Sequence, residues 1–319
     1  EEAASTNTGP TGDAQAELEI LANRLAKTQA TVKRFKGVKL PLLKDPERQE
    51  SLLNTAQQHY THIAEQELTI SYAGEWLLDN FYVVQQSLRQ VIEDIPDRFY
   101  DELPKLIESP LAGFPRIYAI AREIADWSVN PFTLDQIKTF VNAYQKITPL
   151  TMGELWALPA TLRVVNLENL IWAVGQLIGI EEAQSIFQGA NLPARPADET
   201  QVANTIINLR MLATQDWKAY FEAVSRVEQV LRQDPIGVYP QMDFTTRNRY
   251  RQKIESLTPS TGQDEERVAL AAVSLAQQAA DHSHDPQDRT GHVGFYLMDE
   301  GRQQLEAEID YRPTWKDHL

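Results

Sequence analysis

The chain has 319 residues, of which 30 are basic and 45 acidic, so its formal net charge is −15. A charge of this sign argues against a nucleic-acid-binding surface and against general attraction to an anionic membrane. The absence of cysteine excludes disulfides, zinc-thiolate sites, iron–sulfur clusters and a thiol nucleophile. The longest apolar runs, at 170–180 and 268–273, are shorter than the roughly 20 residues that span a bilayer.

The N-terminal stretch, residues 1–13, is small, polar and rich in turn-forming residues, a composition that does not order itself. It has no initiator Met, basic segment or apolar segment. We therefore expect a piece of a longer protein and not a signal peptide. Apolar spacing predicts a first helix from about 13 to 35, so residues 1–43 are expected to form a flexible tail and this helix.

The most strongly patterned stretch is 71–93, which follows a predicted helix from about 46 to 69. Its apolar residues recur at steps of three and four and lie on one helical face: Leu77, Phe81, Val84, Leu88 and Val91. Ser71 is the expected N-cap.

Two acidic residues interrupt the pattern of this helix. Glu75 and Asp79 are like charges at i,i+4, which destabilise an isolated helix by roughly 0.2–0.5 kcal/mol. We therefore predict that they bind Arg116, Arg163 or helix-terminal amides. Trp76 and Asn80 lie beside these two acidic residues. Together with Phe81, they are the candidate structural or interface residues of this helix, around which we expect the first subdomain to be organised.

Beyond this helix, the prolines of 95–115 predict short turns, and a helix is expected over 116–127. Thr133 with Gln136, and Thr151 with Glu154, fit the capping box that opens a helix. The second of these starts a long helix to about 180, with a kink expected at Pro159. Gly175 and Gly179 lie one turn apart and would let another helix approach closely.

The residues at 191–198 form the best linker candidate, which separates a helical subdomain at 44–190 from a second one at 199–319. Helices are predicted at about 199–213, 217–232, 245–257, 263–280 and 303–309. The run 293–298 is the only plausible strand. The fold class is therefore all-α, an irregular multi-helix bundle with at most one short strand or hairpin near 293–298.

The sequence contains two clusters of histidines and one of arginines that are candidate binding sites. His59, His62 and Glu65 are interpreted as a helix surface, and the group of His282, His284, Asp285 and His292 as a solvated loop, although both contain metal-ligand types. Arg247 and Arg251 share a helical face from which Arg249 points away. A solvated face that pairs with acidic residues is the first interpretation, and a docking or headgroup-binding surface is the alternative.

Catalytic signatures are not recognisable in the sequence. It contains no G-x-S-x-G, H-E-x-x-H, P-loop or dinucleotide-binding pattern. Aromatic residues such as Trp156 fall at helical core positions, and burial explains them more simply than sugar stacking does. The segment is therefore expected to lack a catalytic site, a cofactor and a metal. Its structural or interface candidates are Glu75, Trp76, Asp79, Asn80, Phe81, Arg116, Glu154, Trp156, Arg163, Arg247 and Arg251.

Several strings resemble the N-terminal region of cyclic β-1,2-glucan synthases, which are large bacterial membrane glucosyltransferases. They include AGEWLLDNFYVVQQ at 73–86, SPLAGFPRIYAIA at 109–121, AYQKITPLTMGELWALPATLRVVNLENL at 143–170, GVYPQMDFTTRNRYRQKIE at 237–255 and HVGFYLMDEGRQQLEAEIDYRP at 292–313. The likeness extends over about residues 50–319. It implies that the chain ends before the membrane and glucosyltransferase domains of the parent protein.

This resemblance implies a parent that polymerises and cyclises glucose from UDP-glucose with a divalent metal ion. The segment itself is then expected to be a non-catalytic accessory or scaffold, whose partners are the parent's own membrane and glucosyltransferase domains. It would lie on the cytoplasmic side of the bacterial inner membrane without spanning it or binding nucleic acid. The alternatives are an autonomous α-helical module that binds protein or glucan and, less favoured, a hidden carbohydrate-active site.

Overall fold

Helices dominate the computed structural model, which describes residues 10–66, 68–95, 97–127, 130–184, 197–283 and 288–312. The prediction of an all-α fold is confirmed. The chain divides into two compact units, one that extends to Trp217 and one that starts at Lys218. Among the residues so described, no helix combines the length and the apolar character that crossing a bilayer requires.

The elements of the first unit are ten helices and a two-stranded antiparallel sheet within the described ranges. In chain order they are α1 (Pro10–Thr28), β1 (Val32–Lys33), α2 (Pro41–Lys44), α3 (Pro46–Glu65), α4 (Tyr72–Asp94), α5 (Asp97–Glu102), β2 (Lys105–Leu106), α6 (Arg116–Asp126), α7 (Leu134–Gln145), α8 (Met152–Ile178), α9 (Glu181–Gln184) and α10 (Glu199–Thr214).

Helix α8 is the centre of the first unit. It is apolar on nearly all sides, as a helix surrounded by protein must be. The helices α3, α4, α6 and α10 pack against it, and α4 also packs against α3 and α10. The core of the unit therefore lies around α8, with α4 as one of the helices that enclose it.

Local capping explains why three of these helices begin where the sequence predicts. The Ser71 hydroxyl accepts a hydrogen bond from the Gly74 amide at 3.2 Å. Both predicted capping boxes, at Thr133 and at Thr151, are present with their reciprocal hydrogen bonds. Pro159 lies inside α8, and the kink there stays a prediction.

The two glycines of α8 have different roles. A Cβ on Gly175 would lie 2.1 Å from the Ala183 Cβ, so this glycine permits the close approach of α9. Gly179 has a left-handed φ of 75° and forms the C-cap. It ends the helix because only a residue without Cβ adopts this conformation readily. The predicted close approach is thus confirmed at Gly175, whereas Gly179 is a helix terminator.

The second unit also consists of helices. They are α11 (Trp217–Val224), which begins at the division, α12 (Arg226–Leu231), α13 (Phe244–Leu257), α14 (Glu265–His282), α15 (Val293–Met298) and α16 (Arg302–Glu308). The predicted helix 217–232 is interrupted because Ser225 adopts an extended conformation and caps α12, accepting a hydrogen bond from the Glu228 amide at 3.3 Å.

The strand expected at 293–298 is wrong, because these residues form α15. A distant side chain opens this helix, since Asp234 accepts hydrogen bonds from the Val293 amide and from His292, both at 2.9 Å. The helix then packs on α14. The short apolar run by itself does not indicate this helix, because its capping residue lies far away in the chain.

The two short strands of the described residues lie elsewhere. β1 pairs with β2 in antiparallel register, with Val32 opposite Leu106 and Lys33 opposite Lys105. Strands of two residues leave no alternation that a sequence reveals.

The predicted linker 191–198 falls mostly outside the described residues, and a domain boundary there stays a prediction. Helix α10, which that prediction assigns to the second half, packs on α4 and α8 of the first unit. The contact-based division instead falls between Trp217 and Lys218.

Candidate functional site

The outward face of α4 carries a continuous row of exposed side chains. Their spacing of alternating three and four residues aligns them along one side of the helix. We call this row the outer stripe; it comprises Tyr72, Glu75, Asp79, Tyr82, Gln86, Arg89 and Glu93. Tyr72 and Tyr82 are 48% and 61% exposed, which is high for tyrosine side chains.

The predicted pairing of Glu75 and Asp79 with Arg116 or Arg163 is wrong. Both carboxylates are exposed on the outer stripe, whereas both arginines are buried. Arg163 donates to the Leu212 carbonyl at 3.1 Å and forms an ion pair with Asp94 at 3.4 Å. The two acidic residues therefore face solvent because the opposite, apolar face of α4 is the one that packs.

The neighbouring candidates on α4 are structural. The Asn80 side-chain amide donates to the Trp76 carbonyl at 2.9 Å, and its oxygen accepts from Arg210 of α10 at 3.4 Å. Phe81 is buried, and the half-buried Trp76 ring meets Tyr72 edge-on with centroids 6.2 Å apart. Trp156 on α8 is half-buried as well.

Arg116 of α6 and Glu154 of α8 form a buried, two-pronged ion pair. The Arg116 Nε and Nη2 atoms donate to the two Glu154 oxygens at 2.8 and 2.6 Å, and Nη2 also donates to the Pro149 carbonyl. Glu154 meanwhile accepts hydrogen bonds from Thr151 in the capping box. The geometry is that of a strong charge-assisted pair that joins two helices.

Glu168 of α8 is a buried carboxyl that the sequence analysis missed. One of its oxygens accepts from the Tyr118 hydroxyl at 2.7 Å and from Arg122 at 3.4 Å, and the other accepts from the Leu42 amide at 3.1 Å. Burial raises the pKa of Glu168 to about 7, although Arg122 and the hydrogen bonds favour the ionised form. The available signal was the single acidic residue in the mostly apolar stretch 164–174 of α8.

The second unit contains a larger network around Glu228, which is fully buried. Its oxygen Oε2 accepts from Arg251 and from the Tyr239 hydroxyl, each at 2.7 Å, and Arg232 lies 2.8 Å from the other oxygen. The Arg251 guanidinium also lies over the rings of Phe221 and Phe244, 5.1 and 4.7 Å from their centroids.

This network corrects the interpretation of Arg247 and Arg251 as a solvated face. The two residues do share a face and pair with acidic groups, and Arg249 is exposed. However, Arg251 is buried, and Arg247 pairs with Glu222 while it donates to the Met242 carbonyl at 3.0 Å. These side chains were misassigned because their acidic partners lie on other helices.

A smaller polar group joins Asp234, His292 and Tyr250. His292 Nδ1 lies 2.9 Å from Asp234, and Nε2 lies 3.2 Å from the Tyr250 hydroxyl. Burial opposes ionisation of Asp234, but hydrogen bonds from His292 and from the Tyr239 and Val293 amides outweigh it and hold its pKa below the usual value. The group fixes the start of α15.

Among the residues that the structure describes, no group of three or more His, Cys, Asp or Glu side chains is placed to hold a metal ion. His59, His62 and Glu65 are exposed, and His62 lies 2.8 Å from the Gln66 side chain. His284 and Asp285 lie outside the described residues.

An open groove of about 630 Å³ lies between α3 and the start of α9. Its lining is mostly polar: Arg48, Ser51, Leu52, Thr55, Gly179, Ile180, Glu181 and Glu182. It includes none of the candidate residues. The outer stripe of α4 is therefore the surface on which two of the residues proposed from the sequence, Glu75 and Asp79, are exposed and accessible to a partner.

Comparison with known proteins agrees with the sequence resemblance. No family model matches the chain. The chain is 28% identical over 323 residues to the cyclic β-(1,2)-glucan synthase NdvB of Rhizobium meliloti strain 1021. The match covers 79% of this chain and only 11% of the length of that relative. The resemblance is thereby confirmed, and this chain is related to a segment of a cyclic β-(1,2)-glucan synthase.

Proposed function

We propose that this chain is a non-catalytic accessory segment of a cyclic β-1,2-glucan synthase-like protein and that it docks on other domains of that protein through the outer stripe of α4. The observation that carries the proposal is the stripe itself, on which three carboxylates and two tyrosines stand exposed. Similarity to a segment of NdvB supports the family context.

The buried carboxylates favour structural roles. A glycosidase requires two carboxyl groups that face a bound sugar across a cleft. Glu154, Glu168 and Glu228 are instead fully buried, and each accepts hydrogen bonds from side chains within its own unit. Buried charged groups need hydrogen-bonding or ionic partners, and the partners of these three carboxyl groups lie on other elements, which they join.

The stripe has the character of an interface. Tyrosine is enriched in protein interfaces because it provides contact area and a hydrogen-bonding tip at a small entropic cost. The like charges of Glu75 and Asp79, one turn apart, repel each other in the free segment. A basic surface on the partner would relieve this repulsion, so its binding would be favoured.

Under this proposal, the partners are the parent's membrane and glucosyltransferase domains, and the segment lies on the cytoplasmic side of the inner membrane. UDP-glucose and the divalent metal ion then belong to the glucosyltransferase domain. The segment then acts by positioning the domains on which it docks.

The test uses the complete synthase-like protein with Glu75→Arg and Asp79→Arg, compared with a matched control that carries Glu300→Arg and Glu308→Arg, two exposed positions of the second unit. We expect the first variant to lower glucose incorporation from UDP-glucose into glucan, with unchanged thermal unfolding of the isolated segment. Equal incorporation by both variants would contradict docking through the stripe.

A glucan-binding module is the second candidate, and the exposure of Tyr72 and Tyr82 is the observation that favours it, since aromatic rings stack on sugar faces. Calorimetric titration with linear and cyclic β-1,2-glucans separates the two functions. Binding that is lost with Tyr72→Ala and Tyr82→Ala would support the module. A flat titration of the native segment would exclude it.

A further inference from the structure

The connection between α1 and α2 is basic in a chain that is acidic as a whole. Residues 33–39, here called the basic loop, read KRFKGVK and contain no acidic residue. The side chains of Lys33, Arg34, Lys36 and Lys39 are exposed. Four exposed cations within seven residues form a concentrated positive patch.

Two apolar side chains are interleaved with these cations. Phe35 is 42% exposed and Val38 is 41% exposed. An exposed Phe between basic residues departs from the usual burial of this residue type. The combination of basic side chains and accessible apolar groups is the one that peripheral membrane segments use, since the cations meet lipid phosphates while the apolar groups enter the headgroup region.

The loop is held in place by hydrogen bonds to Gly113 and to Tyr100 of α5. The Val38 amide donates to the Gly113 carbonyl at 3.0 Å, and the Val38 carbonyl accepts a hydrogen bond from the Tyr100 hydroxyl. A Cβ on Gly37 would lie 2.4 Å from the Gly113 carbonyl oxygen, so the two backbones lie in close contact. The exposed side chains therefore project from an anchored backbone, which reduces the entropy lost on binding.

We propose that the basic loop is a contact site for an anionic lipid surface. The occupant follows from charge complementarity. The net charge of −15 repels an anionic bilayer from most of the molecule, so only a local basic patch such as this one favours approach. The turn that pairs with the loop, 107–113, contributes one exposed acidic residue, Glu108. The inference stands on the loop and is independent of the accessory role proposed above.

The experiment measures partition of the complete 319-residue chain onto vesicles by sedimentation. One vesicle type contains phosphatidylcholine with phosphatidylglycerol, and the other contains phosphatidylcholine alone. We expect binding to the first type only, and weaker binding at high salt because the contact is electrostatic. No binding to the anionic vesicles, or equal binding to both types, would overturn the proposal.

Paired charge removals locate the contact. Each basic residue near an anionic surface strengthens binding about fivefold, so Arg34→Gln with Lys36→Gln should weaken partition about 25-fold. The matched control, Arg267→Gln with Arg249→Gln, removes two exposed charges elsewhere and should change it by less than about twofold. An equal loss in both variants would show a response to overall charge and refute the assignment to the loop.

A spectroscopic readout covers the apolar part of the contact and does not depend on removing a charge. Because the chain contains no cysteine, Val38→Cys accepts a single environment-sensitive fluorophore, and Arg249→Cys provides the control. Emission at position 38 should increase with anionic vesicles and stay constant at position 249. Unchanged emission at both positions, or binding to soluble polyglutamate without any response to vesicles, would exclude lipid as the occupant.

Discussion

Glu168 and Glu228 present the same physical problem, a fully buried carboxyl group, and the two units solve it differently. Glu168 has one arginine at 3.4 Å, one tyrosine and one amide. Glu228 has Arg251 at 2.7 Å, Arg232 at 2.8 Å and Arg247 at 3.5 Å, together with Tyr239. A buried carboxyl group with a single distant cation tends to bind a proton. A buried carboxyl group surrounded by arginines compensates their charges, so its removal leaves those charges buried and unpaired.

The largest effect is expected when Glu228 is replaced. Glu228→Gln removes the charge that compensates buried Arg251, so the free energy of unfolding should fall by about 3–5 kcal/mol. Urea unfolding followed by circular dichroism measures this change. Glu308→Gln, at an exposed position of the same unit, should stay within about 0.5 kcal/mol of the native protein. A similarly small change for Glu228→Gln would show that Glu222 supports these arginines alone.

The next effect is a pH dependence that originates at Glu168. Its pKa is raised from 4.5 to about 7 by burial, so the folded chain binds a proton that the unfolded chain has released. The resulting stabilisation is complete below pH 4.5 and is lost as the pH rises through 7. The loss amounts to at most about 3 kcal/mol.

Glu168→Gln isolates this contribution. The variant should flatten the decline of the melting temperature between about pH 5 and pH 8, because glutamine does not titrate. Arg122, Asp126 and Tyr118 are the other titratable groups around this site, and they remain in the variant. A decline of the same steepness in both proteins would show that titration of Glu168 does not cause the pH dependence.

Glycine substitutions in α8 change packing without changing charge, so their effect on stability can be compared with that of the buried carboxyl groups. Gly175→Ala places a Cβ 2.1 Å from Ala183, and such overpacking costs about 1–3 kcal/mol. Gly179→Ala meets no atom within 4 Å and loses only the conformational preference for φ above zero, about 1 kcal/mol. Thermal unfolding of both variants measures the difference. If Gly175→Ala were as stable as the native chain, α9 would have to move freely.

The smallest effect, of opposite sign, is expected on the outer stripe. Asp79→Asn removes a like-charge pair at i,i+4 and keeps Glu75, which the N-terminus of α4 favours, so the free energy of unfolding should rise by roughly 0.2–0.5 kcal/mol. Differential scanning calorimetry is the suitable measurement. Destabilisation would indicate that the Asp79 carboxylate stabilises the segment, and the contrast between exposed and buried acidic residues would then fail.

The sequence by itself determined the features that depend on neighbours in the chain. Ser71, Thr133 and Thr151 satisfy amides three residues away, and the apolar period places the buried face of α4, so these elements were predictable from short-range chemistry. The family relationship was also readable, because it rests on strings of residues.

Only the tertiary structure decided the partners of charged groups. Glu168 meets Leu42 and Tyr118, Asp234 opens α15 at Val293, and Arg251 finds Glu228, each across a large separation in sequence. In the same way, Glu75 and Asp79 face solvent because packing occupies the opposite face of α4. Periodicity specifies which face of a helix is buried, but the groups that it meets depend on how distant helices pack.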